Sequence, residues 1–309
     1  MKKTIIILSV LAIAISLGLM LSCQQRYQTE DGFDVVEKFK KITIRGYNGI
    51  EKNIVIPNEI NGIPIVAIGD EVFRDRQLTG VIIGNNVISI GNNAFRDNQL
   101  TRITIPDSVK SIGGQAFQGN RLTGVIIPNN VTSIGAGAFA FNKLSSINIP
   151  DSIKTIEANA FGFNQLTKVT IPNSIKSIEI NAFCNNQLTS VAIPNSIKSI
   201  EINVFENNQL TSVTIPNSVK SIDMNAFKNN KLTSVTIPNS VTFIGSWAFD
   251  SNQLTSINIG SNVKLSTGFA GSFGNNGFEY AYNKGGKQAG IYTRADTNTT
   301  TWVLRASSY

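Results

Sequence analysis

Nine phenylalanines, Phe73, Phe95, Phe117, Phe139, Phe161, Phe183, Phe205, Phe227 and Phe249, recur every 22 residues. A leucine row from Leu78 to Leu254 and an isoleucine row from Ile83 to Ile259 keep the same period. A unit this short cannot enclose a core alone, so each must bury its apolar side against the next, and the chain is a solenoid.

Residues 210–231, LTSVTIPNSVKSIDMNAFKNNK, represent one unit. Leu210, Val213 and Ile215 have the spacing of a short strand with alternate residues inward, and Pro216 ends it because proline has no N–H for a continuing ladder. Asn217 and Ser218 turn the chain. Val219 and Ile222 face inward from a second extended piece, and Ala226 with Phe227 forms a third corner. The predicted fold is mainly β: a solenoid of 22-residue coils closed by an N-terminal strand cap and a C-terminal β-hairpin cap. An asparagine row, from Asn98 through Asn120 and Asn142 to Asn252, keeps the period too. An amide offers two donors and an acceptor, so this row is expected to bond its own corner and a carbonyl of the next coil, a structural role.

The unit L-T-x-V-x-I-P-x-S-V-x-S-I-x-x-x-A-F-x-x-N-x resembles the BspA-like class of bacterial leucine-rich repeats over residues 42–283, about three quarters of the chain. Residues 56–73 are similar to that family's longer first repeat, with an N-G-x-P insertion at Asn61, Gly62 and Pro64. Where the family often has Cys, this chain has the Asn row. The resemblance implies a surface-displayed, non-enzymatic protein that binds host proteins or other cells.

With 309 residues, the repeats make one elongated domain of ten to eleven coils, a stack about 50 Å long at the usual strand spacing. There is no histidine, which removes the commonest general base and metal ligand, and two cysteines are too few for a Cys₄ or CxxC zinc site. No catalytic residue, metal site or cofactor is expected.

Lys2 and Lys3 precede an apolar run, residues 4–21, and Ser22 leads into Cys23. This reads as a secretory signal (1–22) with Cys23 as the lipid-attachment residue at the outer membrane; the alternative is an uncleaved anchor, the run being near the lower limit for a spanning helix. Residues 23–34 are expected to be a polar tether, 35–77 an N-terminal cap and opening repeat, 78–260 the solenoid, and 261–309 a degenerate repeat and cap. Within the last, residues 289–306 suggest a hairpin, and Phe273, Phe278, Tyr280 and Tyr282 are expected in the cap core. Cys184 follows Phe183 where other coils carry mostly polar residues, so it is expected to be an exposed free thiol.

Functional candidates are exposed rows. The first strand presents Arg102 and Thr104, Lys168 and Thr170, Ser212 and Thr214 to solvent, a flat hydroxyl-rich face. A lysine row (Lys110, Lys154, Lys176, Lys198, Lys220) runs beside an acidic one (Glu157, Glu179, Glu201, Asp223). Single coils that break the consensus are more informative. Just before the Asn row two consecutive coils carry Phe141 and Phe163, with Arg74, Arg96, Arg121 and Lys143 in the same half. Exposed aromatics near arginine have the composition of an interface. The net charge of +7, which becomes +5 without Lys2 and Lys3, favours acidic partners; no basic–aromatic module for nucleic acid is present. The expected function is adhesin-type binding to host extracellular-matrix or cell-surface proteins, or to other bacterial cells; the alternative is a self-associating spacer of the cell envelope.

Overall fold

The structure, a computed structural model, describes residues 24–266 and 271–306. The signal segment and Cys23 lie outside the described residues.

Each coil has three sides. On the first, strands such as Ser234–Ile237 and Ser256–Ile259 pair in parallel one coil apart, Val235 opposite Ile257. On the second, Ser199–Ile200, Ser221–Ile222, Phe243–Ile244 and Lys264–Leu265 form a parallel ladder. The third is made of turns, and these also bond from coil to coil: the Phe95 N–H donates to the Ala116 carbonyl at 2.8 Å, and Phe227 to Ala248 likewise. All three sides therefore satisfy their backbone groups through neighbouring coils, as a chain of short units requires.

Inside, the phenylalanine row forms one continuous stack. Adjacent ring centroids are 5.1 Å apart for Phe73 and Phe95 and 5.9 Å for Phe139 and Phe161, with interplanar angles of 9° and 4°. The leucine row is fully buried beside it. The asparagine ladder has the predicted structural role, but it reaches in the other direction. Asn142 Nδ2 donates to the carbonyl of Phe117 in the preceding coil (2.9 Å) and of Phe139 in its own (3.2 Å), while its Oδ1 accepts from Leu122 N–H at 3.0 Å. The bond runs to the preceding coil because that is where the turn leaves a phenylalanine carbonyl and a leucine N–H facing the row.

Strand β1 (Gln25–Gln28) pairs antiparallel with β2 (Phe33–Lys38), and β2 with β3 (Lys41–Tyr47). Strand β3 then joins the second-side ladder in parallel, Ile42 opposite Ile65, and Phe33 and Tyr47 pack on Phe73, the first ring of the stack. Gln25–Gln28 is thus part of the cap and not a free tether: β2 offers an open edge whose backbone groups a polar strand can satisfy, and Arg26 adds an ion pair to Asp34 at 2.6 Å.

At the other end Phe273 continues the stack on Phe249 at 5.1 Å, after a spacing of 24 residues. A short helix unforeseen from the sequence, α1 (Phe278–Lys284), follows. Phe278 meets Phe273, Tyr292 and Trp302 edge-on. The hairpin of Gly290–Thr293 and Val303–Ala306 lays its first strand antiparallel on Ser256–Ile259, covering the last first-side edge. Phe273, Phe278 and Tyr282 are buried cap core as expected, whereas Tyr280 points outward at 70% exposure, because α1 turns only one face to the cap.

Candidate binding surface

Phe141 and Phe163 lie one coil apart on the corner between the third side and the next first-side strand. Their backbone is left-handed, φ 55° and 57°, like that of the same corner in other coils. Those coils fill the position with Asp75, Asp97, Gly119, Asn185, Asn207, Asn229 and Ser251, mostly residues that tolerate positive φ. A bulky side chain there costs about 1 kcal/mol. The two rings stack with centroids 4.3 Å apart and an interplanar angle of 11°, yet remain 48% and 36% exposed. Further along the row the ladder becomes polar: Asn207 Nδ2 donates to Asn185 Oδ1 at 3.0 Å, and Asn229 to Asn207 at 2.6 Å.

The residue before this corner changes in step. It is Arg74, Arg96 and Gln118 in the early coils and Glu206, Lys228 and Asp250 in the late ones, but Ala140, Gly162 and Cys184 in between, and these three small residues are buried. Cys184 is therefore a buried free thiol and not an exposed one, and burial raises its pKa. The signal was in the sequence: the two coils before Cys184 carry Ala and Gly in its row, marking a stretch where that position no longer points a long chain to water.

The cations divide. Arg74 pairs with Glu71 at 3.2 Å. Arg96 is held by Asp97 at 3.1 Å and donates to Gln115 Oε1 at 2.7 Å. Both charges are committed locally and lie two or more coils from the rings. Arg121 and Lys143 are exposed in adjacent coils of the row just beyond the asparagine ladder, and neither makes an ion pair among the described residues. Arg102 is exposed on the first-side strand face, outside this corner. The structure thus brings Phe141, Phe163, Arg121 and Lys143 toward one edge and leaves Arg74, Arg96 and Arg102 apart from it.

Two concavities, of about 210 and 490 Å³, lie at the C-terminal cap. Among the described residues no three His, Cys, Asp or Glu side chains are grouped to hold a metal, and no helix is long and apolar enough to cross a membrane.

A parallel-stranded solenoid of 22-residue coils with an interior Phe–Leu–Asn lattice is a leucine-rich-repeat scaffold, a type built for protein binding. The sequence profile described as "BspA type Leucine rich repeat region (6 copies)" matches residues 66–187 and 156–281, and the chain belongs to that family. Among solved structures it is similar to a leucine rich cell surface protein of Faecalibacterium prausnitzii A2-165 (27% identity, TM-score 0.61, covering 77% of this chain and 71% of that one). It is also similar to a leucine-rich repeat protein of Bacteroides ovatus ATCC 8483 (25% identity, TM-score 0.62, covering 80% and 66%). The pneumococcal vaccine antigen PcpA shares the fold at 17% identity, TM-score 0.54, covering 77% and 82%. No curated protein matches.

Proposed function

We propose that this chain is an adhesin-type surface protein, anchored at the outer membrane through Cys23, whose solenoid binds host extracellular-matrix or cell-surface proteins, or other bacterial cells. The observation that carries the reading is the Phe141–Phe163 pair: two stacked, half-exposed rings on left-handed backbone in a row otherwise given to small or polar residues. Apolar surface kept in water at a conformational cost is the signature of a contact made with something else. Arg121 and Lys143 supply the cationic rim, and repeated weak contacts along the corner add avidity without a deep pocket. The comparison with the cell surface protein of F. prausnitzii supports a place at the cell surface.

The test is binding of the parent chain and of F141N/F163N to an array of matrix proteins, host glycans and bacterial cells at low and physiological salt. Asparagine is the right replacement because Asn185 occupies the same corner one coil later. A salt-resistant protein hit lost in the variant is the expected result. Binding that survives the double change removes this patch, and binding to no host or bacterial surface removes the class.

One observation favours a second reading, self-association in the envelope. The lysine row is exposed and the acidic row half-exposed on the same four coils, yet no ion pair within 4.0 Å joins them. Sedimentation across salt separates the two, since association through charge rows dissociates as ionic strength rises.

A further inference from the structure

The turn between β2 and β3 is a tight hairpin tip with unusual residues for its backbone. Its two central residues, Phe39 and Lys40, both have positive φ, 52° and 55°, a geometry for which Asn-Gly is strongly preferred. Phe39 is 73% exposed. Lys38 and Lys41 pair across the hairpin base, all three lysines are exposed, and Lys38 Nζ stands 5.3 Å from the Phe39 ring centroid. A large apolar ring thus projects from a ring of ammonium groups, with Glu37 the one carboxylate at the adjoining positions of the two strands.

The register of β1 gives this tip its meaning. Gln25 lies opposite Glu37 and Gln28 opposite Asp34, so the chain enters β1 at the end of the sheet where Lys38–Lys41 turns, one residue short of Lys38. The far end carries the turn with Glu30 and Asp31. The cap is polarised: basic and aromatic where the chain arrives from its N-terminal segment, acidic where it turns away. The tip also lies at the corner between the first and second sides, since β3 enters the second-side ladder from there, whereas Phe141 and Phe163 occupy the corner between third and first.

We propose that the Lys38–Lys41 tip is a membrane-docking element, seating on the phosphate-bearing headgroups of the bilayer that holds the N-terminal segment. Phe39 enters the interface between headgroups and acyl chains, and the three ammonium groups stay at the level of the phosphates. A lipid surface is the partner that fits, because it is the one body certain to lie beside the start of β1 in an N-terminally anchored chain, and a cationic rim around an exposed ring complements it in both charge and polarity. The inference rests on the anchoring part of the proposed function. It adds a second contact that fixes the solenoid's orientation, so that the Phe141–Phe163 corner is not the one pressed to the membrane.

The test uses the full chain with Phe39→Trp, reconstituted into vesicles of phosphatidylcholine, with or without about one part in three phosphatidylglycerol, each carrying brominated phosphatidylcholine as quencher. Flotation reads anchoring; loss of tryptophan emission beyond that of the parent, whose Trp247 and Trp302 belong to the opposite end, reads insertion of the tip. The expected result is added quenching, greater in the anionic vesicles and lost when Lys38, Lys40 and Lys41 become serine. A chain that floats with no added quenching in either vesicle overturns the docking element and leaves anchoring standing; a chain that does not float overturns both. Equal quenching in the two vesicles overturns the lysines' part and supports the ring's. Phe39→Asn, which suits the turn backbone, should melt no lower than the parent and lose orientation on the vesicle, read as faster hydrogen exchange at residues 37–42.

Discussion

The molecule contains two stacks of phenylalanine rings built on the same repeat. One runs through nine coils, is fully buried and spaces its rings by more than 5 Å, as the coil rise dictates. The other is two rings long, lies on an outside corner, closes to 4.3 Å and leaves both rings wet. The first is what a repeat must have to fold; the second is what only two coils have and no coil needs. Periodic residues carry the architecture, and departures from the period on tolerant corners carry whatever distinguishes this solenoid from a bare one.

That contrast can be broken from either side. Phe161→Ala opens a ring-sized void in the middle of the buried stack and is expected to cost about 3–5 kcal/mol, measured by denaturant unfolding. Because coils contact only their neighbours, hydrogen exchange should rise most in the coils flanking residue 161. Asn164→Ala leaves the Phe139 and Phe161 carbonyls and the Leu144 N–H without the bonds they make at 3.0–3.2 Å, an expected loss of about 3 kcal/mol, with no effect on binding.

A smaller effect is expected at the C-terminal cap. The Glu279 carboxyl sits between α1 and the last coil and accepts a bond from Phe273 N–H at 2.6 Å; its pKa is raised, burial being the leading cause and the backbone bonds opposing it. A carboxyl whose folded pKa lies above its unfolded one stabilises the fold most fully below the unfolded value, and this is lost as pH rises through the folded pKa. The melting temperature should therefore decline over that interval, and Glu279→Gln should flatten the decline while keeping a side chain that accepts the same bond.

Most of the fold was legible because the sequence states it nine times. The Phe, Leu and Asn rows and the proline at the strand end follow from spacing alone, while the C-terminal hairpin, which the period does not reach, was read from its own segment, residues 289–306. Helix α1 was not legible: it falls after the period breaks, is seven residues long and starts at Gly277 with no side-chain cap, and Glu279 in its first turn and Lys284 in its last are too few signals over so short a run. Strand β1 was missed because QRYQ has no apolar alternation, and its pairing depends on backbone groups that any sequence carries. At the candidate surface the aromatic pair was readable as a departure from its row. Which cations accompany it was not, since pairing of Arg74 with Glu71 and of Arg96 with Asp97 depends on how the turn folds back.

The most direct measurement is the melting temperature of F141N/F163N beside that of the parent. If the pair is held for contact with a partner, the variant relieves two left-handed phenylalanines and extends the Asn185–Asn207–Asn229 ladder, and it should melt at or above the parent. A fall of several degrees, approaching that of Phe161→Ala, would mean that the outer stack is part of the solenoid's own packing, and would contradict the division between the two stacks.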